Sequence, residues 1–186
     1  MLTNITRRAT GLLFVLILAL STTTRPSAAS SAFEIETDVN PTLNKFYLNV
    51  VGSRDLVARA AGVLVFPSVV KAGFWIGGEY GEGALRIAGK TAGYYNTVSG
   101  SIGFEFGAQA RTVIILFMTP EALDSFRRRD GWKVGVDGSV ALITIGAGGS
   151  FDSNQIQQPV IAFILDDKGL MVNLSLEGSK ISPIRR

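Results

Sequence analysis

The side chains that could do chemistry are few in kind, because the 186-residue chain contains no histidine and no cysteine. The usual general base near neutral pH, the best metal ligands and the thiol nucleophile are therefore missing together. Carboxylate pairs of the sort glycosidases use remain formally available, but the Asp and Glu residues are scattered and their spacing pairs no two of them. Two glycine-rich stretches could be phosphate loops: Gly77-Gly78-Glu79-Tyr80-Gly81-Glu82-Gly83 and Gly146-Ala147-Gly148-Gly149. Neither ends in the Lys-Ser/Thr of a P-loop, neither opens an obvious helix, and two glutamates in the first would repel phosphate, so both read as turns or bulges. Asp152-Ser153-Asn154 starts like a calcium loop but lacks the glycine and glutamate spacing that follows in one. No catalytic residue, metal site or cofactor is expected, and the chain reads as a binding protein rather than an enzyme.

The residues that could bind a surface form one main group. Arg127-Arg128-Arg129 with Lys133 is the only dense basic cluster, and Trp132 beside it belongs to the residue type that favours a membrane interface. The same charges would also sit well at a helix C-terminus, so they serve a purely structural reading too. Phe46-Tyr47 could add apolar contact, and Lys71, Arg86 and Lys90 beside the glycine-rich strands are the next cationic candidates.

The elements that must position these residues are mostly strands. Residues 30–40 are polar and acidic and read as a flexible lead-in. Asn40-Pro41 reads as an N-cap and a first helical residue, followed by the stripe Leu43, Phe46, Tyr47, Val50 and Val51 on a short helix that Gly52 ends. Ser53 can cap a second short helix closed by Gly62. From Val63 the period changes to that of bent, glycine-interrupted strands. Val98, Gly100, Ile102, Phe104 and Phe106 alternate with polar or small residues, and Val113 to Met118 is a continuous apolar strand. Thr119-Pro120-Glu121 caps one helix near 120–129, and residues 160–177 read as a terminal hairpin turning at Asp166–Gly169. The fold class expected is α+β and mostly β: a curled or barrel-like, glycine-rich antiparallel sheet with short N-terminal helices.

Residues 1–29 have the layout of a signal peptide: Arg7 and Arg8, an uncharged run from Gly11 to Leu20, then small residues ending at Ala29. The run is about half the length needed to span a bilayer core, so cleavage near Ala29 and a periplasmic or secreted location are expected. Thr6-Arg7-Arg8 lacks the bulky apolar residues that follow a twin-arginine pair, which favours general secretion. Without Arg7, Arg8 and Arg25 the chain keeps 15 basic and 15 acidic side chains and no net charge. No global field then draws it to nucleic acid or an anionic bilayer, and lipid binding must be local. Without cysteines no disulfide staples the fold, so the packed core must hold it.

Several long motifs occur together: Gly62-VLVFP-Ser68-VVKAGF-Trp75-IGGEYGEGAL, GYYN, LFMT with a Leu-Asp-x-Phe helix, GWKVGVDGSVA and GLMVNLSLEG. In this order they resemble the SYLF domain family over about Pro41 to Ile184, which makes 41–186 one SYLF-like domain. The resemblance implies a non-catalytic domain that binds phospholipids, phosphoinositides in eukaryotic members, with actin binding in some fungal ones. Eukaryotic relatives reach membranes with a basic amphipathic N-terminal helix, whereas the matching region here is weakly basic and preceded by acids. Export would separate the chain from actin. The expected function is phospholipid binding at a membrane surface of the cell envelope, the alternative being a structural or partner-binding envelope protein.

Overall fold

The computed structural model describes residues 30–73, 76–102, 109–143, 156–166, 169–170 and 175–186. Residues 1–29, expected to be a signal peptide, the 146–149 glycines and Asp152–Asn154 lie outside these.

The described residues open with helix α1 (Ala32–Asn49). The expected lead-in at 30–40 is thus corrected: most of it is helical. Ser31 is the N-cap, its Oγ accepting from the Glu34 N–H while the Glu34 carboxylate accepts from the Ser31 N–H, which closes a capping box. The acids are not a solvated tail either, since Glu36 accepts from Arg86 and Tyr94 across the domain. Pro41 falls inside the helix rather than at its start and offers no N–H to the carbonyl one turn back, a cost that burial of Ile35, Val39 and Phe46 offsets. A turn at Val50–Gly52 leads to α2 (Ser53–Arg59), capped by Gly52 at φ 80° rather than by Ser53. Because α1 ends at Asn49, Val51 leaves the expected buried stripe and faces solvent.

Among the described residues nine strands follow: β1 (Gly62–Gly73), β2 (Ile76–Ile87), β3 (Lys90–Ile102), β4 (Gln109–Phe117), β5 (Trp132–Lys133), β6 (Ala141–Leu142), β7 (Val160–Asp166), β8 (Gly169–Leu170) and β9 (Lys180–Ile184). They form one sheet in the order β5-β9-β3-β2-β1-β4-β7-β6, with β8 on β7, and every named pair is antiparallel except β6 with β7. Helix α3 (Pro120–Arg127) interrupts the strands after β4, with Thr119 Oγ1 accepting from Ala122 N as its cap. The mostly β, α+β architecture with a curled sheet is as expected.

Both faces of the sheet are buried at its centre, so β1, β4 and β7 read as continuous apolar runs. On one face Leu64, Phe66, Leu85, Ile115, Phe117 and Ile164 meet Trp132, Val134 and Ile181 from the far edge, and α3 adds Leu123 and Phe126. That meeting of distant strands is the curl. On the other face Val65, Ile114, Leu116, Ile161 and Phe163 are covered by Ile35, Val39, Phe46 and Val50 of α1 and its C-cap and by Leu56 of α2.

The glycines of β2 follow from a bulge in β1. The register shifts between Val65 and Ser68, at Pro67, a position where a missing N–H does least harm to a ladder. The bulge pushes the β1 backbone toward β2. A Cβ at Gly83 would stand 2.0 Å from the Val65 carbonyl oxygen, and one at Gly81 2.8 Å from that of Ser68. The Gly77–Gly83 stretch is therefore strand interior, not a phosphate-binding turn.

Two further differences concern the C-terminal part. Leu165 pairs with Leu170 and Asp166 with Gly169, while the expected turn residues 167–168 and residues 171–174 lie outside the described residues. The last residues add β9, which no alternation in the sequence announced and which pairs with Tyr94–Val98 of β3.

Candidate functional site

The charged groups inside the fold are mostly neutralised. Glu79 of β2 is held by Arg111 of β4 and Ser99 of β3; Glu82 is held by Arg186, Tyr80 and the Ser30 N–H; Glu36 binds Arg86 at 2.6 Å. Each of these carboxylates meets a guanidinium, not a second carboxylate, so none forms an acid–base pair. Among the described residues no group of three or more Asp or Glu could hold a metal ion.

The basic cluster lies where expected, at the end of α3, with Arg127, Arg128, Arg129 and Lys133 all exposed. Its charge is reduced by Asp137, which accepts from Arg129 Nη1 and from the Lys133 backbone N–H, each at 2.8 Å. Trp132 is corrected: only 2% exposed, it packs edge-on to Phe126 and Phe117 with centroids 5.7 and 6.4 Å away. Strand β5 turns it inward, and its neighbours Gly131 and Lys133 stay at the surface. The cluster thus has cations and no apolar anchor from Trp132.

Phe46 is likewise a core residue, stacked edge-on against Phe163 at 4.8 Å, and offers nothing to a membrane. Tyr47, one position on, is half-buried, with the Arg54 guanidinium 4.5 Å above its ring. Lys71 sits half-buried on β1 opposite Glu79. Arg86 is anchored by Glu36, by Asn40 at 3.1 Å and by Thr91 at 2.7 Å, which makes it a strut between α1 and β2–β3 before anything else. Lys90 starts β3 and is exposed.

Three of these residues come together around a cleft of about 320 Å³ between α1, α2 and the β2–β3 turn. Tyr47 and Arg86 line it, and Lys90 follows Gly89 at its edge. Arg127, Arg128, Arg129 and Lys133 are not part of it, because α3 packs on the opposite face of the sheet from α1 and α2.

Beside the cleft is a feature that periodicity did not disclose. At the α1–α2 corner Leu48 is 82% and Val51 78% exposed, and Lys45, Arg54 and Arg59 are exposed on the same two helices. Leu48 carries the one signal that could have revealed it, since it is an apolar residue off the Leu43-Phe46-Tyr47-Val50 stripe. A second exposed apolar row crosses three strands, Val70 pairing with Tyr80 and Tyr80 with Val98.

All four tyrosines hold their protons above the ordinary value of 10.0, in each case chiefly because burial penalises the phenolate; Glu36 adds to this at Tyr94 and Glu82 at Tyr80, while Arg54 and Arg127 oppose it at Tyr47 and Tyr95. Since the folded values lie above the unfolded one, the stability tied to these groups is complete below pH ~10 and is lost as pH rises beyond it, where the unfolded chain releases protons that the folded chain keeps. Denaturant midpoints should hold level up to that pH and then fall, less steeply in Tyr95→Phe. A parent midpoint that stayed level well above pH ~10 would contradict the burial of Tyr95.

Residues 98–185 match the family model described as Ysc84, Las17-binding protein actin regulator. No curated protein matches the chain. The matched segment takes in the end of β3, β4, α3 and β5 to β9, which includes the LFMT, GWKVGVDGSVA and GLMVNLSLEG motifs. These motifs and this match over residues 98–185 are consistent with a SYLF (Ysc84) family domain.

Proposed function

We propose that the chain is exported and binds phospholipid at a membrane surface of the cell envelope, without catalysis, and that the α1–α2 corner makes the first contact. The observation that carries this reading is the pairing of exposed Leu48 and Val51 with Lys45, Arg54 and Arg59. Magnitudes separate the two basic regions. Four cations at the end of α3 supply roughly 4 kcal/mol if all reach anionic head groups, which is millimolar-scale binding. Three cations and two buried aliphatic side chains supply about 7 kcal/mol, on the order of ten micromolar. With Trp132 in the core, the α3 cluster acts as a salt-sensitive auxiliary on the other face of the sheet. Among the described residues no helix is long and apolar enough to cross a membrane.

The test is co-sedimentation with phosphatidylcholine vesicles with and without phosphatidylglycerol. Leu48→Ser/Val51→Ser should weaken binding by up to roughly a thousandfold at little cost in stability, since both side chains are already in water. Replacing Arg127, Arg128, Arg129 and Lys133 by Gln should cost less, and the difference should shrink in high salt. If the Gln variant alone loses binding, the α3 cluster is the contact. If the parent binds no vesicle, the second reading takes over: a protein partner seated on the exposed Val70–Tyr80–Val98 row, in keeping with a family described by its binding to a protein.

A further inference from the structure

We propose that the cleft between α1, α2 and the β2–β3 turn binds one molecule of a single-chain fatty carboxylate, head toward Arg86 and chain along Leu43, Tyr47, Val57 and Val63. This goes beyond attachment to a membrane surface and does not depend on it. The volume, about 320 Å³, falls at the small end of the roughly 300–1,000 Å³ of ligand pockets, so it suits one chain and not a two-chain lipid. Its walls are the aliphatic and aromatic side chains just named together with Ala58 and Ala60, with Asn40 and the Ala88-Gly89 turn completing the lining beside Arg86. Arg86 is the sole charged residue among its lining, and the exposed cations Arg59 and Lys90 immediately follow lining residues in the chain.

The Arg86 guanidinium decides the head group. Its Nη1 and Nη2 are committed to Thr91, Glu36 and Asn40, but Nε is buried and is without a hydrogen-bond partner. A buried donor in that state costs about 1–3 kcal/mol until an acceptor arrives. Arg86 lines the cleft, so a group seated there is placed to supply that acceptor. One free donor suits a carboxylate oxygen better than a phosphate, which calls for several. The turn beside it is held in an unfavourable conformation: Ala88, at φ 49°, adopts the left-handed region that normally falls to Gly or Asn, and with Gly89 at φ 76° it presents backbone to the cleft.

The experiment titrates the vesicle-free protein with decanoate below its micelle concentration, followed by amide shifts in the NMR spectrum. Saturable one-to-one binding is expected, with the shifts centred on Val57–Ala60 and Ile87–Lys90. Decyltrimethylammonium, with the same chain and the opposite charge, should bind at least tenfold more weakly. Ala58→Phe, an exposed helix position whose ring would fill the cleft, should weaken decanoate at least tenfold at an unchanged melting temperature, and Lys90→Gln should weaken it severalfold. Leu48→Ser/Val51→Ser should leave decanoate binding intact even as it removes vesicle binding, so failure of the membrane reading and failure of this one are distinct results. Equal binding of the cationic amphiphile, non-saturating shifts spread over the surface, or full affinity in both Ala58→Phe and Lys90→Gln would overturn the proposal.

Discussion

Gly83→Ala should cost about 3 kcal/mol or more, the largest effect expected of so small a change in this chain. The added methyl would stand 2.0 Å from the Val65 carbonyl oxygen and 2.8 Å from the Phe66 ring. A flexible side chain could swing away, but the atom in the way is backbone on β1, fixed by its ladders to β2 and β4 on either side. Relief would require moving the bulge at Pro67 and with it the central strands. Gly100→Ala is the control: it lies on β3 with nothing within 4 Å of the added methyl, and should be neutral or slightly stabilising, since glycine within a strand costs about 0.5–1 kcal/mol relative to alanine. Urea denaturation of the two variants measures the contrast. A Gly83→Ala midpoint equal to the parent's would mean that β1 and β2 do not approach this closely.

Trp132→Ala should cost about 3–5 kcal/mol, a large share of the roughly 5–15 kcal/mol that holds a typical domain together. The ring fills the space between Phe117, Phe126 and the Gly138 backbone, where even a Cβ on Gly138 would come within 2.7 Å of it. Its contribution is packing, so Trp132→Phe should recover much of the stability and leave vesicle binding unchanged. The corner variant Leu48→Ser/Val51→Ser should do the reverse, keeping the melting temperature and losing the vesicles. Loss of vesicle affinity in Trp132→Phe at parental stability would restore Trp132 as a lipid contact and undo the assignment made from its burial.

The sequence by itself determined what depends on neighbours a few residues apart. The absence of His and Cys confines the available chemistry, Thr119-Pro120 starts α3 through a local cap, and the runs Val113–Phe117 and Val160–Leu165 are apolar enough to be strands buried on both faces. The Ser31–Glu34 capping box went unread, because the acids around it read as a flexible lead-in and Arg86, which engages Glu36, lies 50 residues away.

Only the tertiary structure decided which side chains face water. Trp132 and Arg127–Arg129 are neighbours in sequence, yet the curl of the sheet closes over the ring and leaves the guanidinium groups outside. Phe46 and Leu48 differ by two positions, which on a helix is enough to put one against Phe163 and the other in solvent. The cleft draws its walls from α1, α2 and the β2–β3 turn. No local pattern encodes it, because its shape is what remains when helices chosen by one set of contacts come to rest on strands whose course was set by another, the bulge at Pro67 among them.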